Sequence, residues 1–240
     1  MRLDVAATPA LLRAEVVAAS TVLVIDVLRA STTIVTALTS GCVGIVPVAD
    51  AEEARRRAQA APGALIAGER RGEPLQGFDL GNSPLEFTPA RVGGRTVVFT
   101  TSNGTKALVA VRAAPAVGVA AFVNLAAAAA WALAGRRDIL LVCAGERGAE
   151  SLEDLVCAGL LVDRIVTAEP AATPTPVAQR ARELGRGYAK DIGRLRDDSR
   201  WARHLAKGRG GDVAACLALD CSTLVPIYLP DVDKVVSGPR

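Results

Sequence analysis

The segment LVIDVLRASTTIVTAL, Leu23 to Leu38, decides the fold because it changes character twice. It opens as a continuous run of aliphatic residues, turns polar through Asp26, Arg29, Ser31, Thr32 and Thr33, and resumes as Ile34, Val35, Ala37 and Leu38 at helical spacing. A strand buried on both faces reads as such a run rather than as an alternation. Strand, polar turn and helix in succession is the repeating unit of an α/β protein.

The unit recurs outward from this point. GIVPVAD precedes AEEARRRAQA, where Asp50 and Glu53 have the spacing of an N-cap and its N3 partner. GALIAGER, RTVVFTTSNGT before KALVAVRAA, and DILLVCAGERG before SLEDLVCAGLLVDRIV repeat it. The pattern predicts an α/β fold with a largely parallel or mixed sheet. Two segments interrupt it. Residues 68–94 form a long Gly- and Pro-rich loop that carries Phe78, Leu80 and Phe87 to bury, the mark of an ordered functional loop. AEPAATPTPVAQRA, Ala168 to Ala181, has prolines at 170, 174 and 176 and predicts a boundary between a main body, 1–167, and a C-terminal section, 168–240, that could form a smaller lobe.

Composition excludes several classes. Half the 240 residues are apolar, but Ala and Val dominate, and the most apolar run, Asn124 to Gly135, is far short of the roughly twenty residues a spanning helix needs. The N-terminus lacks a signal-peptide pattern, so a cytoplasmic protein without a membrane partner is expected. A net charge of +3 and a basic excess confined to 180–209, with few aromatics interleaved, argue against nucleic acid. Five cysteines without a CxxC pair read as buried small hydrophobes. Oligomeric state is left open, a homo-oligomer included.

Ligands of open α/β sheets bind beyond the carboxyl ends of the strands, and there the unusual polarity collects: Asp26 and Arg29, Glu69 and Arg70, Thr100 to Asn103, Glu146 and Arg147. Carboxylates with almost no histidine suit a hard cation such as Mg²⁺. Arginines and helix-start amides suit phosphate or sulfonate. Each element also has a structural reading: Asp26 as a helix cap, Ser151 with Asp154 as a capping box, Asn103-Gly104 as a turn. Familiar phosphatase machinery is missing. Leu28 stands where a haloacid-dehalogenase nucleophile motif needs a second Asp, no cysteine has an Arg six residues on, His204 is the sole histidine, and there is no Walker A loop.

DVLRASTTI (Asp26 to Ile34), GERRGEPLQGFDLGNSPLEF (Gly68 to Phe87), TTSNGT (Thr100 to Thr105) and SLEDLVCAG (Ser151 to Gly159), in this order, resemble the 2-phosphosulfolactate phosphatase family over nearly the whole chain. The resemblance implies a three-layer α/β/α architecture and a Mg²⁺-dependent hydrolysis of 2-phosphosulfolactate, a small anionic phosphate ester, to sulfolactate and phosphate, a step on a route to coenzyme M. It singles out Asp26, Arg29, Glu69, Asp79, Asn82, Ser102, Asn103, Glu153 and Asp154. On chemical grounds Asp26 and Glu69, with Asp154, are expected to hold Mg²⁺. Arg29, Thr32, Asn82 and the Ser102-Asn103-Gly104 turn are expected to grip the anion. Direct attack by water and a covalent aspartyl or seryl route both stay open, as do another small phospho-acid as substrate and a catalytically altered phospho-ligand-binding protein. SRWARHL, Ser199 to Leu205, departs from the family by placing Trp201 and Ala202 where His and Gly are common.

Overall fold

The computed structural model describes residues 1–238. Among them, β1 (Arg2–Ala6), β2 (Ser20–Ile25), β3 (Gly44–Pro47), β4 (Leu65–Arg70), β5 (Glu73–Pro74), β6 (Thr96–Thr100), β7 (Ala116–Ala120), β8 (Asp138–Cys143), β9 (Thr173–Pro174), β10 (Pro226–Leu229) and β11 (Lys234–Ser237) form one mixed sheet. Its order is β5-β4-β6-β3-β11-β10-β7-β2-β8-β1-β9. Two parallel sets, β4-β6-β3 and β7-β2-β8-β1, make up the halves. The antiparallel hairpin β10–β11 joins them, Val235 pairing with Ile45 on one side and Ile227 with Gly118 on the other.

The helices are α1 (Ala14–Ala19), α2 (Ala30–Thr39), α3 (Ala51–Gln59), α4 (Pro89–Val92), α5 (Gly104–Ala110), α6 (Leu125–Ala134), α7 (Leu152–Ala168), α8 (Pro176–Tyr188), α9 (Leu195–Asp198) and α10 (Arg200–Cys216). They lie on both sides of the sheet because successive strand residues point to opposite faces. Leu23 and Ile25 pack with Leu141, Cys143 and the apolar faces of α6, α7 and α8. Val22 and Val24 pack with Val97, Phe99, α2 and α5 on the other face. The result is the expected three-layer α/β/α arrangement. Helix α2 is buried from Ala30 through Val35 and again at Ala37 and Leu38, so it can be apolar on nearly every side.

Strands β6 and β2 are separated by four others, which in a flat sheet would place them about 24 Å apart. Yet Gly104, just past β6, abuts Asp26, just past β2: a Cβ on Gly104 would lie 2.6 Å from Asp26 Oδ2. The sheet therefore curls until the carboxyl ends of its halves meet.

Section 168–240 is stitched into this sheet and does not stand apart as a lobe. Strand β9 pairs with β1, and β10–β11 occupies the middle. Its prolines serve locally: Pro174 ends β9, and Pro176 opens α8, where a missing N–H does no harm. Helix α8 then packs so tightly on α7 that a Cβ on Gly159 or Gly185 would overlap the other helix's backbone. The cysteine expectation also needs correction at one position. Cys42, Cys143, Cys157 and Cys216 are buried, but Cys221 is exposed.

Candidate active site

A cleft of about 970 Å³ opens over the carboxyl ends of the strands, lined by residues that follow β1, β2, β4, β6 and β8 and by Trp201 of α10. The polar clusters of the sequence converge there. Of the expected site residues, Asp26, Arg29, Glu69, Asn82, Ser102 and Asn103 line it. Gly104 lies against Asp26, where only a residue without a side chain fits.

Asp26 leaves β2 into a turn closed by its own segment. Its carbonyl accepts from the Ser31 amide at 2.8 Å, its amide donates to Ser31 Oγ at 2.9 Å, and Oδ1 accepts from the Ala30 amide at 3.2 Å. Asp26 thus satisfies the first amide of α2, part of the capping role that a structural reading foresees, although the N-cap residue itself is Arg29, while Oδ2 accepts no hydrogen bond among the described residues. Burial pushes its pKa up to about 7; the Ala30 amide opposes this, and the Glu69 and Glu153 carboxylates reinforce it. The Ser31 amide, one of the helix-start amides that suit an anion, is spent on the Asp26 carbonyl. Thr32 also stays out of the cleft, its hydroxyl donating to the Val27 carbonyl at 2.9 Å.

Glu69 ties two loops together. Oε1 accepts from the Ser102 amide at 2.7 Å, and Oε2 accepts from the Gly72 amide at 2.7 Å and from Ser102 Oγ at 3.1 Å. Asn82 is held through its carbonyl, which accepts from Thr33 Oγ1 at 3.1 Å, while its side-chain Oδ1 is buried without a partner among the described residues. Asp154 lies beneath the cleft and does not line it. Its oxygens accept from Val27 N at 2.9 Å and Gly145 N at 3.1 Å, locking the ends of β2 and β8 together. Burial, with Asp26 and Glu153 nearby, holds its carboxyl well above the usual range. Asp79 is structural, accepting from the Ile66 amide at 2.8 Å.

Arg29 is buried, and its guanidinium is partly committed: Nη1 to Asp212 at 2.5 Å and Nη2 to the Gly72 carbonyl at 2.8 Å. Asp212 also accepts from Ser83 Oγ at 2.5 Å. Sequence reasoning did not assign Asp212, at the start of DVAACLALD, a role. The same helix brings Trp201, whose Nε1–H donates to the Leu28 carbonyl at 3.1 Å and whose ring packs on Gly72 and stacks on His204. Ser199 caps the helix and donates to Glu153 at 2.7 Å, and burial raises the Glu153 pKa.

The cleft also holds cations. Arg70 is consumed by the frame, donating to the Glu69 carbonyl at 2.7 Å and to Thr100 Oγ1 at 2.9 Å. The side chains of Arg71, Lys106 and Arg147 line the cleft, exposed, with no hydrogen bond or ion pair among the described residues. Among those residues no group of three or more His, Cys, Asp or Glu could hold a metal ion. Mg²⁺, however, uses one or two protein carboxylates and completes its shell with water and substrate oxygens. Asp26, Glu69 and Asn82 line the cleft together and offer only oxygen donors, Asp26 Oδ2 and Asn82 Oδ1 accepting no hydrogen bond among the described residues, and a cation there would offset the repulsion between the Asp26 and Glu69 carboxylates, which adds to burial in raising the Asp26 pKa.

The family profile for 2-phosphosulpholactate phosphatase matches residues 6–230. Three of the chain's relatives are each described as a probable 2-phosphosulfolactate phosphatase. The chain is 39% identical to one from Thermotoga petrophila over 198 residues, 82% of this chain and 84% of that protein. It is 34% identical to one from Caldanaerobacter subterraneus over 80% of each, and 39% identical to one from a Synechococcus strain over 79% of this chain and 81% of that protein.

Proposed function

The chain belongs to the 2-phosphosulfolactate phosphatase family and is a phosphoric monoester hydrolase, and we propose that its cleft hydrolyses 2-phosphosulfolactate to 3-sulfolactate and phosphate with Mg²⁺ as cofactor, the reaction type that serves coenzyme M biosynthesis. The observation that carries this reading is Asp26. Its Oδ1 is fixed by the Ala30 amide, so Oδ2 is the oxygen left to bind, and Asp26 lines the cleft together with Glu69 and Asn82.

Mg²⁺ held by Asp26, Glu69 and Asn82 would supply Lewis-acid polarisation of the phosphoryl group. The protein's own groups do the rest. Arg29, clamped between Asp212 and the Gly72 carbonyl, places a permanent positive charge where charge develops on the phosphoryl oxygens. Glu69 fixes the separation of Ser102 from the Gly72 turn, so these two walls keep one spacing while the ester enters. The Trp201 ring forms an apolar wall beside Leu28 and limits the water that reaches the floor.

The test is phosphate release by purified protein, with Mg²⁺ or with EDTA, from 2-phosphosulfolactate, phospholactate, phosphoglycerate and an aryl phosphate. Mg²⁺-dependent release, fastest from 2-phosphosulfolactate, is expected. Asp26→Asn should lower turnover by about a thousandfold or more while leaving the circular dichroism spectrum unchanged. Faster release from another phospho-acid would correct the substrate. No release from any ester would overturn the reading.

A further inference from the structure

The segments GERRGE, Gly68 to Glu73, and GERGAE, Gly145 to Glu150, are alike in sequence and fold alike. In the first, Arg70 pairs with Glu73 across the two-residue turn Arg71-Gly72. In the second, Glu146 and Ala149 exchange backbone hydrogen bonds of 2.9 and 3.0 Å across Arg147-Gly148. All four turn residues have positive φ: 57° and 86° in one turn, 53° and 82° in the other.

Two-residue turns of this kind favour Asn or Asp before the Gly, because a short side chain tolerates the left-handed region and a long one does not gain from it. These two turns both accept the steric penalty with arginine, and both stand at the wall of the same cleft; Arg136, the other arginine with positive φ among the described residues, lies away from it and is not in such a turn.

Both tips are free to bind. Backbone contacts pin the first turn: Arg71 N–H donates to Ser102 Oγ at 3.1 Å, Gly72 N–H to Glu69, and the Gly72 carbonyl accepts from Arg29. The second is anchored through Gly145 N–H to Asp154. The backbones are fixed, and neither guanidinium has a partner among the described residues. The tips reach the cleft from opposite halves of the sheet, one after β4 and the other after β8. A ligand that carries negative charge in two places can pair with both.

Resting on the phosphatase reading of this cleft, we propose that Arg71 and Arg147 are twin anion-binding tips. They hold the acidic groups of the substrate that are not transferred, and so select phosphate esters bearing further carboxylate or sulfonate groups. Arg29 and the oxygen donors on the floor serve the phosphoryl group, which leaves the two rim arginines for the remainder. Guanidinium groups are suited to this because they present paired N–H donors to planar or tetrahedral oxyanions.

The test uses Arg71→Asn and Arg147→Asn, singly and together. Asn is the better residue for the turn, so melting temperature should hold or rise. Calorimetric binding of 3-sulfolactate, which carries carboxylate and sulfonate but no phosphate, needs no turnover. Each substitution is expected to weaken it about tenfold and the pair about a hundredfold. In turnover, the ratio of kcat/KM for 2-phosphosulfolactate to that for an aryl phosphate should fall about tenfold per arginine. Arg71→Lys, which keeps charge but loses the paired donors, should fall between wild type and Asn. Unaltered binding in both variants, or no binding of 3-sulfolactate to the wild type at millimolar concentration, would overturn the proposal. Arginine-dependent binding without phosphate release from any ester would leave the anion site standing and remove the phosphatase reading instead.

Discussion

Asp26 is a residue whose surroundings disagree about its charge: burial and the neighbouring carboxylates favour the proton, and the Ala30 amide favours its loss. The first effect prevails, which gives a pKa of about 7 against the usual 3.8. The folded state therefore binds this proton more tightly than the unfolded one. The stability it contributes is complete below about pH 4 and is lost as pH rises through about 7. Asp26→Asn, neutral throughout, should escape that loss. In metal-free protein it is expected to melt higher than wild type at pH 8, by an amount on the order of 4 kcal/mol at most, and to differ much less at pH 4. Equal melting at pH 8 would mean that Asp26 ionises normally in the fold. The place of Asp26 at the cleft was legible in the sequence because it directly follows an apolar strand, at the edge where ligands of α/β sheets bind. Asp154 was misleading: its capping-box spacing is real, with Ser151 Oγ accepting from its amide at 3.4 Å, but its carboxylate turns inward to backbone amides that no sequence pattern reveals.

At the scale of the element, α10 acts as a clasp over the motif loops. Ser199 reaches Glu153, Arg200 reaches Glu146, Trp201 reaches Leu28, Arg209 reaches Glu73 and Asp212 reaches Arg29. A break in helical geometry at Arg209, next to Gly208, Gly210 and Gly211, sets the direction of its last turns and so of Asp212. Removing the clasp's buried carboxylate strands a buried guanidinium. Asp212→Ala is expected to cost about 3–5 kcal/mol in urea denaturation and to slow turnover by releasing Arg29; a loss below 1 kcal/mol would show that Arg29 finds another partner. The strands and helices of the repeating βα unit were readable because their periodicity is local. Strands β7, β10 and β11 were not, since AVGVA, PIYL and KVVS are too short to stand out and are strands only because a neighbour supplies the hydrogen bonds. The two Arg-Gly turns were hidden by chemistry, as sequence convention looks for Asn-Gly there.

For the whole molecule, the decisive feature is that the two parallel halves touch in the sheet only through β10–β11. Asp26 belongs to one half, while Glu69 and Ser102 belong to the other. A chain ended after Leu224 should therefore lose cooperative thermal unfolding and all phosphate release together. Native-like melting of such a truncation would show that the helical contacts alone hold the halves.

The position of this hairpin also imposes an order in time. During synthesis the chain emerges from its first residue, so both halves can assemble while β3 and β7 still present bare edges to the cell. Val235 must then reach back to Ile45 before those edges are covered. Until β10 and β11 have emerged, the nascent protein carries every motif of the cleft without its two halves joined, and β3 and β7 stay open to mispairing.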